Sequence, residues 1–369
     1  MPYKVLVVDD SALMRSEISK IIEKDSELQV VGTAINGQFA LDKIKSLDPD
    51  VVTMDVNMPV MDGLEALKRI MAEFPRPVVM ISSLTQEGAE ETIKALEAGA
   101  VDFVAKPSGS ISRDIDRQSD NIREKIKAAA KSRANKSFIR RPSVPVKTIL
   151  RQPAPSFASA KVVRADGLNR DPVVGPQGPV VGIGVSTGGP KTLMSLLPEL
   201  PGDFPGCVVI AQHMPEKFTA SFAQRLDNLC PLRVKEAEDG EVLESGTVYI
   251  APGGRHMSIT HRNHKIFMIK TTSEGMGKIY RPSVDILFES LSEAMGNAWL
   301  GVMLTGMGAD GAQALVAHYK NGGHSICESE ESCVVFGMPG RVVEMGGAEF
   351  ILHENQISAK IVELIGEYR

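Results

Sequence analysis

A serine and two groups able to activate it follow three separate apolar runs in the second half of the chain. Ser186 ends the run VVGIGV and precedes Thr187 and a glycine pair, the pattern of a sharp turn from a strand into a helix. His213 ends the run CVVIAQ, and Asp310 follows the run WLGVMLT across a glycine-rich turn. Because hydrolysis of an ester or amide by serine needs a base and a carboxylate that orients it, the three side chains predict a hydrolytic site. Their order along the chain is Ser, His, Asp, whereas α/β-hydrolases have the order Ser, Asp, His. The α/β-hydrolase fold is therefore not predicted.

Backbone N–H donors are the second requirement, because negative charge develops on the substrate oxygen during such a reaction. The candidate donors are the N–H groups after Ser186, at the start of a predicted helix, and those around Met307 in the segment GMG. Thr187 is a further candidate for contact with the oxyanion or the substrate.

Each of these residues also has a simpler interpretation that the sequence leaves open. Ser186 could cap the following helix, His213 could bond a loop carbonyl, and Asp310 could stabilise the turn at residues 308–311. His256 follows another apolar run, in the segment APGGRHM, and competes with His213 for the role of base. Both histidines therefore stay candidates, with His213 preferred.

Carboxylates carry the chemistry of the first half, since all seven histidines lie at or after His213. Asp9 and Asp10 follow the apolar run VLVV, and Asp55 follows VVTM. The carboxyl ends of parallel strands meet at one edge of a sheet, so these carboxylates are expected to converge. A hard cation such as Mg²⁺ would relieve their repulsion, held by the three carboxylates and the backbone carbonyl of Asn57.

A phosphoryl group is the substrate that such an acidic site would accept. Asp55 could attack phosphorus, while Lys106 would supply a positive charge and Ser82 a hydroxyl to the phosphoryl oxygens. The simpler interpretations are a helix N-cap for Asp10 and solvated surface positions for Asp55 and Lys106. Their joint placement at successive strand ends favours phosphorylation.

Two α/β domains must position these groups. Apolar runs alternate with segments of helical periodicity in residues 1–127, which predicts a first domain with a parallel sheet. Residues 128–178 lose this periodicity and contain recurrent prolines and a basic tract, so they are interpreted as a flexible linker, with a partner-docking segment as the alternative. Residues 179–369 predict a doubly wound, mostly parallel α/β domain, in which MSITHRNHKIFMIK forms an antiparallel hairpin.

The composition is that of a globular protein, and it argues against general nucleic-acid binding and against membrane insertion. Hydrophobic residues make up 43% of the 369 residues, and the net charge of −5 gives no general attraction to nucleic acid. The sequence shows no signal peptide and no apolar run as long as a membrane span, so a cytoplasmic protein without membrane insertion is expected. The four cysteines lack a CxxC spacing and are predicted to be reduced core thiols.

The first domain resembles the receiver domain of bacterial response regulators in the segments VLVVDDSALMR, MDVNMPVMDGL, ISSLT and VDFVAKP. The resemblance covers about residues 4–127 and implies a flavodoxin-like fold. It also implies Mg²⁺-dependent phosphorylation of Asp55 by a histidine kinase and a response transmitted through Ser82 and Phe103. Many receivers carry tyrosine where this chain has Phe103, which lacks the hydroxyl and keeps the aromatic ring.

The second domain resembles the catalytic domain of the chemotaxis protein-glutamate methylesterase family. The segments that carry the resemblance are GIGVSTGGP, AQHMPEKFT, YIAPGGRHM, YRPSVDILFESL, VMLTGMGADGA and SCVVFGMPG. The resemblance implies Ser186 as nucleophile, His213 as base and Asp310 as its partner, with no cofactor for hydrolysis. The implied reaction converts glutamyl methyl esters on chemoreceptors to glutamate and methanol, with deamidation of particular receptor glutamines as a second activity. The implied phosphodonor is a chemotaxis histidine kinase.

Control of the second domain by the first is a hypothesis that follows from these two resemblances. We expect the receiver to restrain access to Ser186, and phosphorylation of Asp55 to favour an open, active arrangement. Such a switch requires the phosphoryl group to interact differently with the two states.

Three other functions fit parts of the sequence less well. Gly182, Gly184 and Gly188 open a helix as in nucleotide-binding oxidoreductases, but their spacing is not G-x-G-x-x-G and the next strand does not end in an acidic residue. A DNA-binding output would require a helix-turn-helix pattern, which the second half does not show. A non-catalytic binding module would keep its receptor binding and show no turnover that depends on Ser186.

Overall fold

The computed structural model describes residues 1–83, 85–106, 113–134, 178–262 and 266–367, which form two α/β units. Most of the predicted linker, residues 135–177, lies outside the described residues. The last helix of the first unit extends to Ala134, past residue 127, where the first domain was predicted to end.

The first unit is a five-stranded parallel sheet with helices in the crossovers between its strands. Its elements are β1 (Tyr3–Val8), α1 (Ala12–Glu23), β2 (Leu28–Ala34), α2 (Gly37–Leu47), β3 (Val51–Asp55), α3 (Gly63–Glu73), β4 (Val78–Ser82), α4 (Gln86–Glu97), β5 (Asp102–Ala105) and α5 (Arg113–Ala134). The strand order is β2-β1-β3-β4-β5, with every pair parallel. This is the flavodoxin-like order, so the predicted fold of the first domain is confirmed.

Short polar side chains determine where helices of the first unit begin. Ser11, Asn36, Asp62 and Thr85 each precede a helix, and each side chain accepts a hydrogen bond from the N–H three residues later. Between them, β3 and β4 are buried along their whole length, as expected for parallel strands covered on both faces. The carboxyl ends of the strands therefore open into the loops that carry the acidic residues.

The second unit is built on a seven-stranded parallel sheet. Its elements are β6 (Val180–Val185), α6 (Gly189–Leu196), a short 3₁₀ helix (Leu197–Glu199), β7 (Cys207–Gln212), α7 (Phe218–Asp227), β8 (Arg233–Glu236), β9 (Thr247–Ile250), β10 (His256–Arg262), β11 (Ile266–Thr272), α8 (Val284–Met295), β12 (Trp299–Met303), α9 (Ala312–Lys320), β13 (His324–Glu328), α10 (Met338–Glu344), β14 (Phe350–Leu352) and α11 (Glu354–Glu367). The strand order is β14-β13-β12-β6-β7-β9-β8.

The order of these strands reverses beside β6, the central strand of the sheet. From β6 the chain builds the sheet outward through β7, and it later returns to add β12 on the other side of β6. In doubly wound sheets such a reversal opens a crevice at the carboxyl ends of the two strands, where ligands bind. Ser186 follows β6, and Asp310 lies in the loop after β12.

The predicted hairpin is present as β10 and β11, paired antiparallel from His256 with Thr272 to Arg262 with Ile266. It forms a two-stranded sheet of its own and does not extend the main parallel sheet. It packs against α8, where the Ile259 N–H donates to the Ser290 hydroxyl at 2.9 Å.

The two units pack directly on each other through α4 and α7. The ring of Phe103 stacks on that of Phe218, with centroids 4.5 Å apart and an interplanar angle of 22°. Arg225 on α7 forms an ion pair with Glu97 on α4. One apolar cluster includes residues of both units, so the contact between them continues into the core.

The remaining sequence expectations concern the thiols and membrane spans. All four cysteines are unpaired; Cys207, Cys327 and Cys333 are buried and Cys230 is partly buried. Desolvation raises the pKa of the Cys207 thiol to about 12. The helices that the structure describes include none with the length and apolar character needed to cross a membrane.

Candidate active site

Ser186 lies on the turn that links β6 to α6. Gly188 adopts a φ of 81°, a left-handed conformation that glycine takes without strain, and the chain then enters α6. The Ser186 N–H donates to the carbonyl of Thr305 at 3.0 Å, which ties the turn to the segment after β12. The N-cap position of α6 is Gly188, so Ser186 does not have the helix-capping role that the sequence left open.

The structure brings Ser186, His213 and Asp310 together, although they are far apart along the chain. The Nδ1 atom of His213 is 3.0 Å from Ser186 Oγ, and its Nε2 atom is 2.8 Å from Asp310 Oδ2. A neutral ring with its proton on Nε2 donates to the carboxylate and leaves Nδ1 as the acceptor for the serine hydroxyl. This arrangement can deprotonate Ser186 during nucleophilic attack.

Asp310 accepts three hydrogen bonds besides the one from His213. They come from the Ser283 hydroxyl at 2.8 Å, the Val284 N–H at 2.7 Å and the Asp285 N–H at 3.2 Å. Burial by itself would raise the Asp310 pKa, but the hydrogen bond and charge of His213, with the bonds from Val284 and Ser283, lower it overall. Asp310 thus contacts His213, as expected for the partner of the base, and also accepts the first N–H groups of α8; stabilisation of the turn at residues 308–311 was the alternative that the sequence left open.

An aromatic ring covers the other side of the candidate base. Tyr280 stacks on His213, with ring centroids 4.2 Å apart and an interplanar angle of 13°. Burial, together with the negative charges of Glu124 and Asp310, raises the pKa of Tyr280. The adjoining cleft has a volume of about 470 Å³ and is lined among others by Lys278, Ile279, Tyr280, Asp285, Asp310 and Arg341.

The candidate oxyanion donors lie on the two segments that meet at Ser186. Within the described residues, the N–H groups of Thr187 and Met307 donate to no backbone carbonyl. Gly306 brings the second segment close, because a Cβ at that position would lie only 2.9 Å from Ser186 Cβ. N–H groups that lack a backbone acceptor, on segments that meet at a serine, are candidates for an oxyanion site.

Replacing Gly306 with alanine is expected to reduce turnover by about tenfold or more, because the added methyl group displaces the Ser186 turn and a misplaced reactive group loses much of its rate. The same methyl group would lie 2.4 Å from Met338 Sδ. The measurement is kcat for hydrolysis of an ester substrate. Gly366→Ala is the matched control, since a methyl group added there would have no heavy atom within 4 Å. Equal rates for both variants would contradict the close approach of Gly306 to Ser186.

His256 does not occupy the position of the base. It is fully buried, and within the described residues its ring forms no hydrogen bond to Ser186; the polar group that acts on it most is the backbone of Gly275. Desolvation lowers its pKa, which keeps the ring neutral. The geometry therefore assigns contact with Ser186 to His213, and His256 lies at the start of the hairpin.

The acidic residues of the first unit also converge as predicted. One carboxylate oxygen from each of Asp9, Asp10 and Asp55 lies within 4.8 Å of the others. Lys106 Nζ is 2.8 Å from Asp55 Oδ2 and 3.2 Å from Asp9 Oδ2. Burial and the charge of Asp9 raise the Asp55 pKa, while Lys106 opposes this rise. Three carboxylates against one ammonium group leave excess negative charge, which a divalent cation would fit.

The simpler interpretations of this cluster do not describe the structure. The cap of α1 is Ser11, whose hydroxyl accepts the Met14 N–H, so Asp10 is not the cap. Asp55 is buried, and Lys106 is paired with two carboxylates. Neither is a solvated surface residue.

The other predicted residues of the first unit lie around this cluster. The Ser82 hydroxyl, at the end of β4, donates to the Gly88 carbonyl at 3.0 Å. The Asn57 side chain donates to Glu91 Oε2 at 2.9 Å, which links the loop after β3 to α4. Phe103 is buried against the second unit, with its ring stacked on Phe218.

Several residues of the hydrolytic site were not predicted from the sequence. Tyr280 and Ser283 belong to the quoted segment YRPSVDILFESL, and Thr305 follows a predicted strand, yet none was given a role. A serine directly before a predicted helix was a usable signal for Ser283. Stacking of Tyr280 and the hydrogen bonds of Thr305 depend on the packed structure and leave no local pattern.

Comparison with known proteins gives a family match for each unit. Residues 181–361 match the CheB methylesterase family, and residues 5–112 match the response regulator receiver domain. A protein-glutamate methylesterase/protein-glutamine glutaminase of Oleidesulfovibrio alaskensis is 44% identical over 367 residues, covering 98% of this chain and 99% of the relative. One from Carboxydothermus hydrogenoformans is 47% identical over 367 residues, covering 98% of this chain and 99% of the relative. The crystal structure of the Thermotoga maritima CheB methylesterase catalytic domain has 42% identity and a TM-score of 0.49, covering 51% of this chain and 99% of that one.

Proposed function

The chain belongs to the CheB methylesterase family and carries a response regulator receiver domain, and from this premise we propose that it hydrolyses glutamyl methyl esters of chemoreceptors to glutamate and methanol. We further propose that it deamidates specific receptor glutamines, since both activities occur in the names of the relatives. The observation that carries the proposal is the hydrogen-bonded series from Ser186 through His213 to Asp310. We propose that this reaction takes place in the cytoplasm.

The proposed mechanism assigns one role to each member of the series. His213 Nδ1 takes the hydroxyl proton as Ser186 Oγ attacks the ester carbonyl, and Asp310 stabilises the imidazolium that forms. The N–H groups of Thr187 and Met307 are the proposed donors to the oxyanion. Collapse expels methanol, which takes its proton from His213, and water then cleaves the acyl-enzyme by the same route to release glutamate. With glutamine the leaving group is ammonia.

Methanol release from a methylated chemoreceptor tests this proposal. The wild-type chain should release methanol in proportion to the methylated sites consumed, and an unmethylated receptor is the control. Ammonia release from a receptor that retains its glutamines tests deamidation separately. Failure to release methanol from any methylated receptor, by a folded chain supplied with a phosphodonor, would contradict the proposed substrate.

The acidic cluster supports a second, regulatory reaction in the receiver. We propose that Asp55 accepts a phosphoryl group from a histidine kinase, with Lys106 contacting the phosphoryl oxygens. Asp9, Asp10, Asp55 and the carbonyl of Asn57 would hold Mg²⁺, which when bound neutralises charge on the incoming phosphoryl group.

Contacts between the two units support control of the hydrolytic site by the receiver. The negative charge of Glu124, on α5 of the receiver, acts on Tyr280, which itself stacks on His213. Val334, in the loop before α10, packs against an apolar cluster of the receiver. The proposed switch is that phosphorylation of Asp55 weakens these contacts and opens access to Ser186.

Replacing Asp55 with alanine is expected to abolish stimulation by a small phosphodonor and to leave basal methanol release in place, because only the phosphoryl acceptor is removed. The wild type should be stimulated by about fivefold or more, the lower range of typical coupling energies. Asp42→Ala is the matched control, an exposed carboxylate on α2 of the same domain. Stimulation of the Asp55 variant to the wild-type level would refute phosphorylation at this residue.

A further inference from the structure

Glu328, the last residue of β13, is a buried carboxyl group that the proposed reactions do not use. Its Oε2 atom accepts the Thr305 N–H at 2.8 Å. Its Oε1 atom makes no hydrogen bond of ordinary geometry within the described residues, although the Ser332 hydroxyl and the Cys333 thiol interact with the carboxyl group. A carboxyl group placed in this way is costly to ionise, because the charge receives little compensation from its surroundings.

Thr305 connects this carboxyl group to the nucleophile. Its carbonyl accepts the Ser186 N–H at 3.0 Å, and its hydroxyl donates to the Thr187 carbonyl at 3.0 Å. The hydroxyl also accepts the Val335 N–H at 3.0 Å. Because Thr305 is itself fully buried, these bonds have no competition from water, and its backbone position determines that of the Ser186 turn.

We infer that Glu328 is a positioning residue for hydrolysis, which holds the Ser186 turn through Thr305 and holds it more firmly when its proton is lost. The inference rests on the proposed function, since it concerns the same nucleophile. Met307 lies two residues after Thr305, so the same contact also supports a proposed oxyanion donor.

The surroundings of Glu328 favour its neutral form. Burial is the main cause that raises its pKa to about 7, and the negative charge of Glu354 at the start of α11 adds to the effect. The Thr305 N–H, the Ser332 hydroxyl and the Cys333 thiol act in the opposite direction and are outweighed.

Among the described residues, no Lys, Arg or His charge contributes to the shift of the Glu328 pKa. On its own strand the neighbour is Cys327, and the facing position on β14 is Leu352. In the following loop Glu330 and Glu331 are exposed to solvent. Ionisation of Glu328 therefore places an uncompensated negative charge in the core.

The sign of the pH effect follows from the raised pKa. Glu328 is neutral below about pH 7, and the contact with Thr305 is then held without a buried charge. As the pH rises through this value the charge appears, the bond from the Thr305 N–H becomes charge-assisted, and we expect the Ser186 turn to be held more firmly. Glutamine at this position keeps an oxygen for the Thr305 N–H and cannot ionise.

Amide chemical shifts of the ¹⁵N-labelled full chain test the coupling without any substrate. In the wild type the Thr305 amide should titrate with a midpoint near pH 7, and the Ser186 amide should follow with the same midpoint. In Glu328→Gln both transitions should disappear. A Thr305 amide that does not titrate, or that titrates equally in Glu328→Gln, would overturn the inference.

Kinetics then show whether the coupling matters for the reaction. Glu328→Ala should lower kcat by about tenfold or more at every pH, with little change in KM, because the Thr305 N–H loses its buried acceptor. Glu328→Gln should match the wild type at pH 6, and its kcat relative to the wild type should fall about threefold or more by pH 9, because the amide cannot form the charge-assisted bond. Glu331→Gln, an exposed change in the adjacent loop, should follow the wild type throughout.

The outcomes separate this inference from the proposed function. Wild-type kcat in Glu328→Ala, or a constant ratio of the Glu328→Gln and wild-type rates from pH 6 to 9, would overturn the positioning role. If Glu328→Ala does not fold, the pH profile of Glu328→Gln decides. A wild type that shows the Thr305 titration but releases no methanol would instead overturn the proposed function.

Discussion

Ser186→Ala is expected to reduce methanol release by about 10⁴-fold or more, because it removes the oxygen that forms the acyl-enzyme. The remaining rate would come from substrate binding and from the proposed oxyanion donors, which this change leaves in place. The turn should survive, since Ser186 is held by its backbone N–H to Thr305 and its side chain does not cap α6. Receptor binding should therefore persist while turnover is lost.

The measurement is single-turnover methanol release from methylated receptor, with receptor binding measured on the same samples. Ser258→Ala is the matched control, because it removes the same hydroxyl from the hairpin, where it bonds the Lys270 carbonyl at 3.4 Å. We expect wild-type rates from this control. A Ser186 variant that keeps more than about a hundredth of the wild-type rate would exclude Ser186 as the nucleophile.

Strand ends explain why so much of both sites could be predicted from the sequence. Apolar runs of four to seven residues identified the buried strands, and in a parallel sheet their carboxyl ends must share one edge. Asp9, Asp55 and Lys106 could thus be grouped without knowledge of the strand order. The same reasoning grouped Ser186 with His213, since β6 and β7 are neighbours.

Contacts made by irregular segments could not be predicted in this way. The bonds from α8 to Asp310 and the stacking of Tyr280 on His213 depend on how the loop between β11 and α8 returns to the crevice. Local sequence specifies that Ser283 precedes a helix, but it does not specify which distant carboxylate accepts the free N–H groups. Strands β8 and β14 were also not predicted, because they are short and lie at the sheet edges.

The packing of the two units against each other is the feature that could be predicted least from the sequence. Phe103 was expected to transmit the response, and the structure places its ring on Phe218, five residues after His213. Helix α7 begins at Phe218, so a displacement of this ring would act on the element that follows the candidate base. Complementary surfaces between α4 and α7 leave no periodic signal that distinguishes them from other half-buried helix faces.

Asp310→Asn is expected to lower kcat by about 10⁴-fold, because it favours the tautomer of His213 that cannot act as the base. The carboxylate accepts the proton on Nε2 and so keeps Nδ1 free to take the Ser186 proton. An amide that turns its NH₂ group toward His213 favours the opposite tautomer, in which Nδ1 carries the proton and cannot act as base. Asp203→Asn, an exposed change before β7, is the matched control and should leave the rate unchanged.

The second role of Asp310 gives this variant a stability signature that the Ser186 variant lacks. The lowered pKa means that ionised Asp310 stabilises the fold above the ordinary aspartate pKa, and that this contribution is lost as the pH falls through the lowered value. Thermal unfolding of Asp310→Asn should therefore occur at a lower temperature than that of the wild type at pH 7, and the two should approach each other in acid. Loss of activity with no difference in unfolding at pH 7 would contradict the capping of α8, because the hydrogen bonds from Ser283 and Val284 would then contribute nothing to the fold.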